Sequence, residues 1–200
     1  MKLYVKQKPL SLTEKFTVIN SKEEERYYVE GAIVSFGRKL HIYDTDRNEV
    51  ASIKEKFSSV QPHFLVYHGG SIVVEVMKKF ALVKHKYALE GSGWTVKGNM
   101  PERDYTISSS FGKIVAVREE VFGGVDCLEL DVSNILNEAN VIRALAAVLA
   151  IDCVVSKKRT KLQKKLMKKM TKSNKASTKK DNNIDSMKSK DLKTKIRRVE

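Results

Sequence analysis

The chain has 200 residues, 42% of them hydrophobic, which is ample for one domain with a real core. Its formal net charge of +14 is unevenly placed: residues 156–200 hold 18 basic against 4 acidic residues, leaving 20 of each before them. A neutral body with a basic tail excludes a uniformly cationic fold and confines charge-driven attraction to the tail and to local patches.

No secretory h-region follows Met1, since MKLYVKQKP already alternates and is charged. Cys127 and Cys153 lack metal or redox spacing and are expected as small buried hydrophobes in a reducing, cytoplasmic setting.

A repeat follows. LSLTEKFTVI begins at Leu10, VSFGRKLHIY at Val34, SSVQPHFLVY at Ser58 and ALVKHKYALE at Ala81, spacings of 24, 24 and 23 residues. Each copy alternates at its end (Phe16/Val18, Leu40/Ile42, Phe64/Val66, Tyr87/Leu89), the period of a strand with one face buried. Each then carries a turn signal, NSKEEE, DTDRN, HGGS or EGSG, and a second short run, so every repeat is predicted to be a β-hairpin. WTVKG, DYTIS, GKIVAVRE and VDCLELDV continue the meander to about twelve strands.

The most apolar run, VIRALAAVLAIDCVV from Val141 to Val155, is shorter than the roughly 20 residues of a membrane-spanning helix and is interrupted by Arg143 and Asp152. Its alanines favour a helix over a strand, predicted at about 137–155 with Asn137 as N-cap and Glu138 in the first turn. A helix apolar on nearly all sides must be enclosed. A sheet of about twelve strands leaves two long edges unless it closes, and a barrel of that size is too wide for its own side chains to fill. The expected fold is therefore mainly β: a closed twelve-stranded antiparallel barrel around this helix, whose core residues are Leu145, Val148, Leu149 and Ile151. Arg143 and Asp152, near the helix ends, are expected to reach the rims. Residues 1–155 form this domain and residues 156–200 a Lys-rich tail. In the tail, Leu162, Leu166, Met167 and Met170 lie at helical spacing, predicting a basic amphipathic helix over 161–172, and disorder is expected from Ser173 onward.

The KQKPLSLTEKFTV, VSFGRKLHIYD and IKEKF elements, the segment LEGSGWTVKGNMPERDY with Gly93, Trp94, Gly98, Asp104 and Tyr105, and the closing LAIDCVV resemble the LURP-one-related family over about residues 1–155. The resemblance implies a fold like the Tubby C-terminal domain, a twelve-stranded barrel around a central hydrophobic helix. It also hints at membrane lipid, because Tubby domains bind phosphoinositides and phospholipid scramblases are related. Gly123 and Gly124 in the last hairpin and the basic tail depart from the family pattern.

Catalytic chemistry is not legible. His63 and His68 flank a turn and read as loop and strand-surface residues rather than metal ligands. The glycine pairs open no helix and match no phosphate loop. Trp94 is expected to pack in the core. No catalytic, metal or cofactor residue is assigned, and the protein is expected not to be an enzyme.

Charge sorts by barrel end. Connections between repeats sum to +8 and turns within repeats to −4. Lys8, Lys15, Lys39, Lys56, Lys79 and Lys86 are the candidate anion-binding rim, joined by Lys157, Lys158, Arg159, Lys161, Lys164, Lys165, Lys168 and Lys169 of the tail. The expected partner is anionic phospholipid at the inner membrane face. A protein-interaction scaffold and non-specific nucleic-acid binding by the tail are the alternatives, the tail's lack of interleaved aromatics disfavouring base stacking.

Overall fold

The computed structural model describes residues 1–6, 15–34, 37–56, 61–79 and 86–155, so Lys8, the expected amphipathic helix 161–172 and the rest of the tail lie outside the described residues. Twelve strands follow one another: β1 (Lys2–Lys6), β2 (Lys15–Asn20), β3 (Glu25–Val34), β4 (Gly37–Tyr43), β5 (Glu49–Glu55), β6 (His63–His68), β7 (Ser71–Lys79), β8 (Lys86–Glu90), β9 (Thr95–Asn99), β10 (Asp104–Ser109), β11 (Gly112–Phe122) and β12 (Val125–Val132), with a 3-10 turn, Met100–Glu102, between β9 and β10. Among the described residues there is one α-helix, α1, at residues 138–155.

The strands form one antiparallel sheet in the order β8-β7-β6-β5-β4-β3-β2-β1-β12-β11-β10-β9. Strands that follow one another in sequence pair in space, save β8 and β9 at the two ends of the order, and β1 also pairs with the last strand by setting Leu3 against Leu130 and Val5 against Leu128. That long-range ladder curls the meander into a nearly closed barrel. The alternating residues of the repeat line its inside: Val18, Leu40, Ile42, Phe64, Val66, Tyr87 and Leu89 are buried, and Phe16 packs partly buried against the same core.

The fourth repeat departs from its predicted hairpin. Among the described residues β8 and β9 share a single bridge, Leu89 to Trp94, and are the two ends of the strand order. Between them Gly91 and Gly93 take positive φ values of 82° and 69°, and the Ser92 hydroxyl accepts from Trp94 N at 3.1 Å and donates to Leu89 O at 3.2 Å. The serine thus occupies the backbone groups that a tight hairpin would pair with each other, and the barrel is left with a seam.

Helix α1 fills the interior. Asn137 caps it, its side-chain oxygen accepting from Asn140 N at 3.0 Å. Leu145, Val148, Leu149 and Ile151 are all buried, together with Ala144, Ala146, Ala147 and Ala150. Small alanines let the wall approach the axis, while each fully buried large aliphatic contributes about 1.5–3 kcal/mol. The helix enters where Tyr27 OH donates to the Glu138 carboxylate and Arg26 lies 3.7 Å from it. We call this the cap end. It collects the turns after β2, β4, β6, β8 and β10. β1, β3, β5, β7, β9 and β11 finish at the opposite, exit end, and the described chain ends there at Val155.

Candidate functional site

Antiparallel pairing brings lysines together at the exit end. Lys39 on β4 stands directly across from Lys54 on β5, and Lys79 on β7 directly across from Lys86 on β8. Directly opposed like charges destabilise a sheet, so the Lys39–Lys54 pair concentrates positive charge at an energetic cost. Lys54 is steadied by the Tyr67 ring, its ammonium 4.5 Å from the centroid. Lys15, by contrast, lies 2.9 Å from Glu30 and is an ion-paired rather than a bare rim cation. Lys56 is exposed at the end of β5, where its backbone N donates to His63 O at 2.8 Å. Of the remaining predicted site residues, Lys157, Lys158, Arg159, Lys161, Lys164, Lys165, Lys168 and Lys169 lie outside the described residues.

A cleft of about 500 Å³ volume on one side of the exit end is lined by Arg103, Glu119, Glu120, Val121, Asp126 and Cys127. The exit rim is therefore not uniformly basic. Summing charge over the four repeats leaves out the β11–β12 hairpin, whose acidic residues share this end with the lysines.

Beside Lys54, on the outer face of β5 and β6, is a second cleft of about 320 Å³, lined by Glu49, Val50, Ala51, Ser52, Lys54, Tyr67, Gly69 and Gly70. Ser52 is only 5% exposed and is flanked in register by His41 on β4 and Tyr67 on β6. His41 Nδ1 is 2.7 Å from Glu49 Oε2, which orients the imidazole and engages the cleft's carboxylate. The sequence reading missed His41, Ser52, Lys54 and Tyr67 as a group because they are brought together across three strands. The run IKEKF, with a lysine two residues before Lys56, was the available signal. Ammonium, hydroxyl and imidazole groups along one sheet face match the hydrogen-bonding needs of a phosphoryl group.

Other residues flagged in the sequence have structural roles. His63 is buried rather than on the strand surface, with Nε2 at 2.9 Å from Glu75 Oε2. Trp94 packs against the core. Burial pushes the Cys153 thiol up to about 12, and burial with neighbouring carboxylates also raises Cys127, so neither favours the thiolate. Among the described residues no group of His, Cys, Asp and Glu is arranged to hold a metal ion, and no helix is long and apolar enough to cross a membrane.

The segment GWTVKGNMPERDY gives the barrel its most individual feature. Gly98, at φ 123°, stands opposite Tyr105, and a Cβ there would lie 2.5 Å from Asp104 O and 2.6 Å from Tyr105 Cα. Arg103, in the left-handed conformation, then turns the chain and reaches inward to Asp152 on α1, Nε to Oδ1 2.9 Å. Residues 1–153 match the sequence profile for LURP-one-related proteins. The chain belongs to the LURP-one-related family. Within it, the chain is similar to the uncharacterized protein YxjI of Bacillus subtilis (strain 168), with 26% identity over 155 residues, 78% of this chain and 94% of that one. Its fold is like that in the X-ray structure of a protein from Arabidopsis thaliana, with a TM-score of 0.51 and 15% identity over 76% of this chain and 90% of that chain. This LURP-one-related protein thus has a Tubby-like architecture, a nearly closed antiparallel barrel with one C-terminal helix.

Proposed function

We propose that this protein associates peripherally with membranes that carry anionic phospholipid, without catalysing a reaction. Its setting on this reading is the cytoplasmic face of a membrane. The observation that carries the reading is the Lys39–Lys54 pair beside the cleft of Ser52 and Tyr67. Like charges held across a ladder are relieved when an anion binds between or beside them. After Val155 the sequence carries the 18 basic residues of 156–200. Each lysine or arginine near an anionic leaflet contributes about 1 kcal/mol, so the tail supplies bulk attraction and the β4–β6 face supplies a defined contact.

The test is co-sedimentation of the full chain with phosphatidylcholine vesicles and with vesicles containing phosphatidylserine, alongside a duplex DNA and a single-stranded RNA. Binding to the anionic vesicles alone, reduced by salt and by Lys39→Gln with Lys54→Gln, is expected. Removing residues 157–200 should weaken it further. Equal binding to nucleic acid and anionic vesicles would replace the membrane reading by a general polyanion reading, and binding to neither would leave a scaffold role.

A further inference from the structure

The cap end is divided by charge. Two of its turns, residues 21–26 after β2 and 44–49 after β4, hold three basic against six acidic residues. The other segments at this end, residues 69–72, 91–95, 109–112 and the β12–α1 connection 133–137, contain no Lys, Arg, Asp or Glu in a chain that is 31% charged. They follow one another round the barrel, β6 to β8 and β9 to β12 each being consecutive in the sheet and Leu89 bridging to Trp94. This uncharged part carries Phe111, 91% exposed, and Ile135, 78% exposed. The two loops flank one ladder: β11 starts just after Phe111, and Ser133 N donates to Ile114 O at 2.9 Å shortly before Ile135. Both loops are fixed, since Ser109 Oγ accepts from Phe111 N at 3.1 Å and Leu136 packs against the core, leaving its neighbour Ile135 in solvent. Single exposed apolar residues are ordinary, but two on neighbouring hydrogen-bonded loops within a charge-free surface mark a contact face.

We infer that Phe111, Ile135 and the uncharged segments around them form a self-association face, whose occupant is the same face of a second copy of this chain. A two-fold contact requires a patch that is complementary to itself. An uncharged apolar patch meets that condition without setting like charges together, and it offers no charge by which a different partner would be steered or selected. The acidic turns beside it argue against an anionic leaflet as the occupant, since they would be brought to a surface of their own sign. They also oppose complete overlap of two cap ends, so the copies meet off-centre, on the β10–β12 side. Size sets the strength. Phe111 can bury about 150–250 Å² in each copy, and with Ile135 and the flanking loops the contact reaches on the order of 1,000 Å² in total, the lower end of specific interfaces. The dimer is therefore a weak one that dissociates on dilution. The inference is independent of the lipid reading, which concerns the β4–β6 face.

The test is sedimentation velocity on the full chain at about 0.15 M salt, where repulsion beyond roughly 8 Å is screened. A monomer–dimer equilibrium with a dissociation constant between about 1 μM and 1 mM is expected. Phe111→Ser with Ile135→Ser should weaken it about tenfold or more, as loss of central apolar anchors does, and leave the melting temperature nearly unchanged, both side chains being exposed. Val121→Ser, an exposed apolar change at the exit end, is the control and should leave the equilibrium as it is. Ser110→Glu puts into the patch a charge that meets its own copy across the two-fold axis, so it should dissociate the dimer. Phosphatidylcholine vesicles, added as an alternative occupant, should not bind these loops. A monomer at about 1 mM, a dimer that survives Phe111→Ser with Ile135→Ser or survives Ser110→Glu, a dimer lost equally in Val121→Ser, or binding to phosphatidylcholine vesicles that the double variant abolishes would each overturn the inference.

Discussion

Arg103 and Asp152 join a loop of the barrel wall to the middle of an otherwise apolar helix turn. The guanidinium Nε and Nη2 both lie 2.9 Å from Asp152 Oδ1, and Nη1 lies 2.8 Å from Glu119 Oε1. Burial works against the charge on Arg103, but attraction from Asp152 and Glu119 outweighs it and holds the guanidinium above its usual value. With Glu138 bound to Tyr27 at the other end, the helix is clasped at both its entrance and its exit.

Breaking that clasp from one side should be severe. Arg103→Met leaves Asp152 in the interior without its guanidinium partner and is expected to cost about 3–5 kcal/mol, measured as a shift of the urea midpoint. Arg103→Met with Asp152→Leu should recover most of the loss, since an apolar pair of similar size avoids the buried charge. Glu119→Gln, at a half-exposed position, should cost no more than about 1 kcal/mol. If the double variant is less stable than Arg103→Met alone, the clasp is contributing more than charge compensation.

Leu149 is 2% exposed inside the barrel. Leu149→Asp should abolish cooperative thermal unfolding, because an unpaired buried charge costs several kcal/mol against a typical total of about 5–15. A soluble variant with a sharp melting transition would contradict the enclosed helix.

Gly98→Ala asks for a Cβ where Asp104 O would be 2.5 Å away, a backbone contact that can be relieved only by moving β10. The left-handed-side φ alone adds strain of about 1–3 kcal/mol. We expect a lower melting temperature and accelerated amide exchange in β9 and β10. Gly112→Ala is the control: its φ is also positive, at 118°, but nothing lies within 4 Å of the added carbon, so it should show the conformational strain without the clash.

Acid should act partly through Asp131. A hydrogen bond from Lys113, with Nζ to Oδ2 2.6 Å, holds its carboxyl below the usual carboxylate range despite partial burial. A depressed folded value means that the stabilising contribution is present above the unfolded value of about 3.9 and is lost as pH falls through the folded one. Lys113→Met should therefore lower stability at neutral pH and make it less sensitive to pH below about 4. The titration of Asp131 by carbon-detected NMR should move back toward the unfolded value in that variant.

How much of this was legible beforehand depended on whether a signal was local or assembled. The alternation at Leu40/Ile42 and Phe64/Val66, the turn chemistry between strands, and the alanine-rich run with Asn137 before it are local patterns, and local stereochemistry translates them directly into strands, turns and a capped helix. The need to enclose that run and to hide the edges of a twelve-stranded sheet follows from hydrophobic burial alone, so the barrel with its central helix was also within reach.

Residue partnerships were not. The Lys39–Lys54 and Lys79–Lys86 pairs depend on strand register. The Arg103–Asp152 clasp joins residues 49 positions apart. The neutralisation of Lys15 by Glu30 was hidden because the two belong to different strands whose charges, counted along the chain, fall into separate sums. The seam is a similar case: EGSG reads as a hairpin turn, and only the ring closure through β1 and β12 shows that β8 and β9 are the sheet's two ends. Periodicity along the chain determines which face of an element is apolar; register and closure decide which charged groups meet, because a shift of one residue in a ladder changes every cross-strand neighbour while leaving the pattern of the sequence the same.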